Sequence, residues 1–311
     1  MAITAAMVKE LREMTGAGMM DCKKALNETN GNMDEAVEFL RKNGQAKAEK
    51  KASRIAAEGL CMVVTKDNQT AAVVEVNSET DFVAKNATFQ EFVKAVATQA
   101  VNSDAADMDA FMAEKWNEDA SKTVSEALVE KVAVIGENLK IRRFEKVVAE
   151  HGCVVPYVHG GGRIGVIVDA DTDVVNDTVK EAMHNIAMQI AALNPKYVSR
   201  DEVSADYIAH EKEILLAQIM NDPKESQKPE KVINGMIEGR ISKELKEVCL
   251  VDQVYVKAED GKQTVAKYLE EVSKAAGCTV KVKRFVRFET GEGLEKKNED
   301  FAAEVAAQMN A

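Results

Sequence analysis

Twice along this chain, the pattern of a β-hairpin is followed by the pattern of a long helix. In the first copy, apolar and polar residues alternate through 59–78 on both sides of a DNQT turn, and a helical pattern covers 81–101. In the second copy, a hairpin predicted at 153–171 is followed by a helix predicted at 174–193. We therefore expect an α+β fold with two related α/β core subdomains, repeated in architecture rather than in sequence.

Helical patterns without strands stand before, within and after this repeat. Residues 1–55 predict three short helices, the third capped by Asn32 and ending at Gly44, followed by an exposed Ala/Lys-rich helical linker. Residues 201–245 predict two amphipathic helices, an αα-hairpin of the kind that forms a protruding coiled-coil arm. The chain then returns to a β-like VDQVYVK segment, and a final helix is predicted at 295–311.

These patterns divide the chain into six consecutive segments. In order they are a helical bundle with its linker (1–55), core subdomain N (56–140), the first part of core subdomain C (141–200), the coiled-coil arm (201–248), the second part of core subdomain C (249–290) and a C-terminal helical module (291–311). Within them, 262–276 predicts a helix, 278–293 a strand, and the acidic stretch 103–120 a loop with a short helix.

Composition excludes several classes of protein. The chain has 311 residues and a formal net charge of −11, which argues against nucleic acid as a direct partner because phosphate binding needs a basic surface. It shows neither a signal peptide nor a run long and apolar enough for a membrane span, so we expect a cytoplasmic protein. Its five cysteines are scattered without a CxxC pair, which predicts small buried thiols in a reducing compartment.

The residues offer poor material for catalysis. The four histidines lack the spacings of metal sites, and the HGGGR run at 159–163 lies inside a predicted hairpin turn, where positive φ angles explain the glycines. Cys22 stands beside Lys23 and Lys24, which could lower the pKa of its thiol, but no general base is recognisable. We therefore predict no enzyme, no cofactor and no metal site.

Two features are suited to binding a partner, but the residues alone do not decide whether either one contacts a partner or serves the protein's own packing. The pair Met19 and Met20 stands where a loop becomes a helix, so it serves either an adaptable interface or the packing of the small bundle. Asp81 and Phe82 stand where a strand hands over to a helix, with Thr80 as a good cap. Phe82 either packs under the helix or faces a partner, and Asp81 is either a helix N-terminal acid or a contact residue.

Several stretches closely resemble the translation elongation factor Ts family, in the family's order and over essentially the full chain. The longest and most specific are VKELREMTGAGMMDCKKAL and SETDFVAKN. Further matches are IGENLKIRR, HGGGRIGV, MHNIAMQIAA, RFVRFETGEGLEKK and DFAAEVAAQ. The resemblance implies a ubiquitin-associated-like N-terminal bundle of three helices, two related core subdomains, an inserted coiled-coil hairpin and a C-terminal helix.

The resemblance also implies a function. Members of this family are guanine nucleotide exchange factors for elongation factor Tu in the elongation phase of protein synthesis. They bind both the GDP form and the nucleotide-free form of Tu and promote GDP release by disturbing its Mg²⁺ and phosphate site. The arm at 201–248 is associated with self-association in some members, and the family implies no membrane contact.

Residue by residue, the resemblance places three contact regions on this sequence. The segment Thr80, Asp81, Phe82 and Val83 matches the one that dislocates Mg²⁺ from Tu, with Phe82 as an apolar wedge. In the N-terminal bundle, Arg12, Met19, Met20 and Lys23 match a second contact surface. Further contacts match His159 and Gly160 in the second subdomain and Phe301 in the C-terminal module.

Two rival functions stay open on the residues alone. A ubiquitin-type adaptor would use only the N-terminal bundle and leaves the TDFV segment and the core without a role. An enzyme using Cys22 or His159 predicts a nearby base and a substrate pocket, neither of which the sequence displays.

Overall fold

The N-terminal bundle has three helices. The computed structural model describes residues 3–295, and its first elements are α1 (Ala5–Thr15), α2 (Met19–Glu28) and α3 (Met33–Lys51). The Asn32 side chain caps α3 by accepting a hydrogen bond from the Glu35 N–H, as its sequence position predicts. Apolar residues at helical spacing, among them the fully buried Leu11, Cys22 and Leu26, form a small core. The three predicted helices are thereby confirmed.

The first half of the core is a three-stranded antiparallel sheet with helices on one face. Its elements are β1 (Glu58–Thr65), β2 (Thr70–Ser78), α4 (Asp81–Ala84), α5 (Ala87–Asn102), α6 (Met108–Ala113), β3 (Lys115–Trp116), β4 (Asp119–Thr123), α7 (Val124–Ile135) and β5 (Lys140–Val148). The strand order is β1-β2-β5, and α5 buries Phe89, Phe92 and Val96 against the sheet. The short β3–β4 hairpin, which begins inside the acidic stretch and ends just after it, was not expected from the sequence.

The second half repeats this plan. Its elements are β6 (Cys153–His159), β7 (Ile164–Thr172), α8 (Asp177–Leu193), α9 (Ala205–Asn221), α10 (Glu230–Val248), α11 (Val265–Ala276) and β8 (Val280–Glu289). The strand order is β6-β7-β8, and α8 and α11 bury Met183, Ile186 and Leu269 against the sheet. Both predicted hairpin-then-helix units are confirmed.

The two sheets pack face to face and give a helix–sheet–sheet–helix order of layers. Side chains from both inner faces form the central core, including Val73 and Val147 from the first half and Ile167 and Val286 from the second. The Cys61 N–H of β1 also donates a 2.6 Å hydrogen bond to the Gly162 carbonyl in the β6–β7 turn. The core is therefore one body in which each half covers the other's apolar sheet face.

The same buried ion pair marks both halves. In the β2–β5 pair the register shifts after Glu75, which faces Arg143. In the β7–β8 pair the register shifts after Asp169, which faces Arg284. The arginine Nε lies 2.6 Å from the Glu75 carboxylate and 3.3 Å from the Asp169 carboxylate. The repeat thus extends to individual residues, which the expectation of a purely architectural repeat missed.

A buried glutamine repeats as well. Gln99 of α5 donates to the Lys115 carbonyl and accepts from the Asn117 N–H. Gln189 of α8 donates to the Val254 carbonyl and accepts from the Val256 N–H. Each amide therefore fixes an extended segment beside the helix through the same pair of backbone groups. Buried amides need such partners, which explains why a glutamine occupies this position in both halves.

Three local expectations were wrong. The helix predicted to end at Gly44 runs on to Lys51, because Gly44 is buried against α7, where an added Cβ would lie 3.3 Å from the Ala133 Cβ. The single helix expected at 81–101 is two, since Asn86 caps a second start. The VDQVYVK segment forms a 3₁₀ turn and an isolated β-bridge rather than a strand.

The arm is a helical hairpin built from α9 and α10. Its core is a stripe on α10, with Ile233, Ile237, Ile241 and Leu245 at a spacing of four residues, packed with the fully buried Ile219 of α9. This confirms the predicted αα-hairpin. The predicted C-terminal helix, including Phe301, lies outside the described residues.

Within residues 3–295, no helix combines the length and the apolar character that a membrane crossing requires. The five cysteines are free thiols, four of them buried. Their burial agrees with the sequence-based expectation of small packed thiols.

Replacing Gly59 with alanine is expected to lower the free energy of unfolding by roughly 4 kcal/mol, a loss diagnostic of a steric clash. Gly59 has a φ of 126°, and an added Cβ would lie 2.2 Å from the Val76 carbonyl oxygen across the sheet. Gly277→Ala is the matched control: its φ is 70° but nothing lies within 4 Å, so it should cost only about 1 kcal/mol. Urea unfolding followed by circular dichroism compares the two, and equal losses would contradict this explanation.

Candidate partner-binding surfaces

The short helix α4 projects from the junction between β2 and α5. The Thr80 hydroxyl caps it by accepting a 3.4 Å hydrogen bond from the Val83 N–H. The Asn86 side chain then accepts from the Phe89 N–H and starts α5. Two capping residues so close together confine α4 to a single turn, because each cap sets a separate helix start.

Phe82 is the most exposed large apolar side chain among the described residues, with 80% of its surface in contact with solvent. Its neighbour Val83 turns inward and packs against the core of the first half. Successive residues of a helix point in different directions, so one side chain of the pair anchors the turn while the other is presented. The alternative in which Phe82 packs under the helix is therefore wrong.

Asp81 is exposed beside Phe82 and pairs with Lys85. The Lys85 Nζ lies 2.7 Å from the Asp81 carboxylate and 6.0 Å from the centre of the Phe82 ring. The hydrogen bond from Lys85 is the main cause that holds the pKa of Asp81 below its usual range. The tip of α4 thus presents an aromatic ring flanked by one negative and one positive charge.

The base of α4 is held by Glu137, which the sequence reasoning did not single out. One oxygen of the Glu137 carboxylate accepts from the N–H groups of Glu79 and Thr80, at 3.1 and 3.0 Å. The other accepts from the Thr80 hydroxyl at 2.6 Å. In return, the Glu79 carboxylate accepts from the Asn138 N–H at 2.6 Å. The antiparallel pairing of β5 with β2 places the residues shortly before β5 beside those shortly after β2, and the sequence alone does not display this pairing.

The same network reaches the long helix of the bundle. The Asn138 side chain donates to the Arg54 carbonyl at 2.8 Å, and Lys51 donates to the Gly136 carbonyl at 2.7 Å. One turn earlier on the same face of α3, Lys47 pairs with Asp21 of α2 at 2.9 Å. A chain of side-chain contacts therefore connects α4 with the N-terminal bundle.

In the bundle, the four residues proposed for partner contact are exposed. They are Arg12, Met19, Met20 and Lys23. Met19 and Met20 leave 59% and 76% of their surface in solvent, while Cys22 and Leu26 on the other side of α2 are fully buried. The alternative in which Met20 packs the bundle is therefore wrong. Met14, also 60% exposed, was not singled out from the sequence.

Cys22 does not have the features of a reactive thiol. Burial raises its pKa, against a smaller lowering from the hydrogen bond with Thr15, so the alternative in which the neighbouring lysines lower the pKa is wrong. Its sulfur instead lies 3.7 Å from the Ala17 carbonyl oxygen. A buried protonated thiol is a packing group rather than a nucleophile.

His159 lies at the end of β6, exposed, and begins the predicted turn. The following residue Gly160 has a φ of 59°, which is consistent with glycine serving the turn. The His159 Nδ1 lies 2.8 Å from the Tyr157 hydroxyl, and the Tyr157 ring meets His184 edge-on at 5.1 Å. This arrangement gives an exposed aromatic surface rather than a histidine activated by a carboxylate.

Among residues 3–295, no three metal-ligating side chains come close enough together to hold an ion. A cleft of about 550 Å³ lies between α3 and α7. Its walls do not include α4, His159 or Cys22. The cleft therefore does not provide the substrate pocket that an enzyme using either residue would need.

Comparisons with known proteins all point to one family. A family model described as Elongation factor TS matches residues 79–292. Elongation factor Ts of Clostridioides difficile (strain 630) is 53% identical over 308 residues, which cover 99% of each chain. The proteins of the same name from Clostridium novyi (strain NT) and Clostridium perfringens (strain ATCC 13124) are 51% and 50% identical, covering 99% and 98% of each chain.

Proposed function

Because this chain belongs to the elongation factor Ts family, we propose that it is a guanine nucleotide exchange factor that binds elongation factor Tu and promotes the release of GDP. Family membership makes it a translation elongation factor, and exchange of a bound nucleotide makes and breaks no covalent bond. The observation that best supports the proposal within this chain is the exposure of Phe82 on a capped single-turn helix. A large apolar side chain in that position gains most by entering a partner.

The physical principle of exchange is competition between two ligands for one protein. A factor that binds the open, distorted form of Tu more tightly than the GDP-bound form shifts Tu toward the open form. Reciprocity then requires GDP to weaken the factor to the same extent as the factor weakens GDP. In the GDP-bound form, Mg²⁺ bridges phosphate oxygens to the protein and neutralises their charge. A phenyl ring that enters beside this site would displace the groups that hold the ion, and Phe82 is the candidate wedge.

The N-terminal bundle would supply a second grip on Tu. Met20 and Met19 are flexible and apolar, which suits an adaptable interface, and Arg12 and Lys23 add positive charge. The contacts that run from Lys51 and Asn138 to the base of α4 support the idea that both grips act as one unit. His159 and Gly160 are candidates for a further contact. Phe301 outside the described residues and self-association through the arm stay proposals from the family.

The experiment that tests the proposal measures binding in two nucleotide states. Calorimetric titration of this chain with nucleotide-free Tu and with GDP-bound Tu should give affinities that differ by at least about a hundredfold, corresponding to a coupling of about 3 kcal/mol. Adding GDP to the isolated complex should dissociate it. Equal affinities for the two states would contradict the proposal, because a ligand without preference shifts no equilibrium.

Replacing Met20 with alanine is expected to weaken binding to nucleotide-free Tu by roughly tenfold, about 1.4 kcal/mol. The reason is loss of an exposed apolar side chain that would be buried in the complex. Met220→Ala is the matched control, because Met220 is 54% exposed but lies on the arm. Calorimetry reports both affinities, and an unchanged affinity in Met20→Ala would remove this residue from the interface.

A further inference from the structure

The two halves of the core differ in the length of the segment that joins the middle strand to the long helix after it. The fold itself does not require this difference. The Ser78 hydroxyl of β2 and the Thr172 hydroxyl of β7 each donate to the carbonyl two residues ahead, so these two positions correspond. The long helices α5 and α8 begin after the capping residues Asn86 and Asn176. From Ser78 to Asn86 the first half takes eight positions, and from Thr172 to Asn176 the second half takes four. The four additional residues equal the length of α4, so α4 is an insertion into the repeated plan.

The position that holds α4 also has a counterpart. Helices α7 and α11 both end at a left-handed glycine, Gly136 and Gly277, and the next residues are Glu137 and Cys278. Each precedes by six positions the arginine that faces the buried acid of its half. The Cys278 sulfur lies only 3.3 Å from the Thr172 hydroxyl, at the end of the middle strand. In the second half, the residue at this position therefore makes a short contact with the end of the middle strand. In the first half, the same position holds the longer side chain of Glu137.

We propose that Glu137 is a positioning residue that fixes α4, and with it Phe82, in the orientation that enters the partner. The inference rests on the proposed function, because the orientation of Phe82 matters only if Phe82 is a contact. The Glu137 carboxylate accepts three hydrogen bonds from the two residues at the base of α4, Glu79 and Thr80. It also joins two segments that are far apart in sequence. An inserted single turn has too few internal hydrogen bonds to hold its own orientation.

Substitutions of Glu137 differ in how many of its three hydrogen bonds they can keep. A glutamine can keep the two backbone hydrogen bonds, since both end on one oxygen, and its amide can donate to the Thr80 hydroxyl. Alanine removes all three bonds. Cysteine is the residue that the second half uses, so Glu137→Cys should leave the sheet intact while α4 loses its hold. Cys278→Ser is the matched control in the half that has no inserted helix.

The first arm of the test uses the free protein. Hydrogen exchange followed by mass spectrometry should show peptides covering 79–85 exchanging at least about tenfold faster in Glu137→Ala and Glu137→Cys, with the remaining sheet amides unchanged. Glu137→Gln and Cys278→Ser should match the wild type in these peptides. Unchanged exchange at 79–85 in Glu137→Ala would overturn the proposal.

The second arm measures GDP release from Tu at saturating concentrations of each variant. Glu137→Ala should lower the maximal release rate about fivefold and change the half-saturating concentration less, because docking by the bundle is retained. In a Phe82→Ala background the same change should have almost no further effect, as expected for two residues that act through one contact. Fully additive losses would overturn the proposal. If the wild-type chain does not accelerate GDP release from Tu, the proposed function is contradicted. The hydrogen-exchange experiment then still decides whether Glu137 holds α4.

Discussion

Replacing Phe82 with alanine is expected to lower the maximal rate of GDP release from Tu by roughly thirtyfold, which corresponds to the 2 kcal/mol or more that a central interface residue contributes. The side chain is 80% exposed in the free protein, so its removal has little to cost in stability. Its whole effect should fall on the complex. Stopped-flow measurement with fluorescent GDP, over a range of factor concentrations, separates the maximal rate from the affinity.

Val148→Ala is the matched control for this experiment. Val148 is another exposed apolar residue, 49% accessible, at the end of β5. Its substitution should leave the release rate within about twofold of the wild type, since surface changes outside an interface are nearly neutral. A Phe82→Ala variant that retains the wild-type rate would contradict the wedge and leave nucleotide release to the bundle contacts.

Replacing Arg143 with methionine is expected to lower the free energy of unfolding at pH 7 by about 3 kcal/mol, the usual cost of removing one partner from a buried ion pair. The Glu75 side chain is fully buried and accepts hydrogen bonds from Arg143 Nε at 2.6 Å, Arg142 Nη1 at 3.0 Å and the Gly291 N–H at 2.8 Å. Without Arg143, the buried Glu75 carboxylate loses a 2.6 Å hydrogen bond and the charge of that guanidinium group. Urea unfolding of wild type and variant measures the loss.

The pH dependence of stability gives a second readout of the same pair. Burial by itself raises the pKa of Glu75, but the hydrogen bonds from Gly291, Asn77 and Arg143 outweigh it and hold the pKa below the usual value. A lowered folded-state pKa contributes stability above the unfolded-state pKa, and this contribution is lost as the pH falls through the folded-state pKa. The difference between wild type and Arg143→Met should therefore shrink in acid. A difference that grows in acid would contradict this assignment.

The corresponding pair in the second half serves as the control. Burial raises the pKa of Asp169 despite Arg284, whose side chain is 45% exposed and whose Nε lies 3.3 Å away. Asp169 is thus already poorly compensated in the native protein. Arg284→Met should cost less than Arg143→Met, about 1 kcal/mol, because less interaction is lost.

Local patterns predicted the elements that local physics determines. The two hairpins follow from apolar alternation interrupted by turn residues, and the helix start at Asn32 follows from side-chain capping. The extension of α3 beyond Gly44 could not be predicted in this way, because a glycine normally ends a helix. Here the missing side chain instead lets α7 approach. The VDQVYVK segment is β-like in composition, but Gln189 takes two of its backbone groups, the Val254 carbonyl and the Val256 N–H. The segment pairs only through one isolated bridge with Thr264.

The sequence indicated a segment for the candidate site but not the geometry of that segment. Resemblance pointed to the segment around Phe82, while composition left open whether the ring is buried or presented. The answer depends on Val83 filling the space under α4 and on Glu137 holding its base, and both contacts lie between segments far apart in sequence. Strand pairing was needed to bring Glu137 beside Thr80, and a single sequence does not contain that pairing explicitly.

The most direct test of the central claim is the release of fluorescent GDP from elongation factor Tu in the presence of excess unlabelled GDP, with and without this chain. We expect release to become faster by at least about a hundredfold at saturating factor, as a coupling of about 3 kcal/mol requires. The acceleration should saturate with factor concentration, since it proceeds through a complex. A folded wild-type chain that leaves the release rate unchanged would contradict the account.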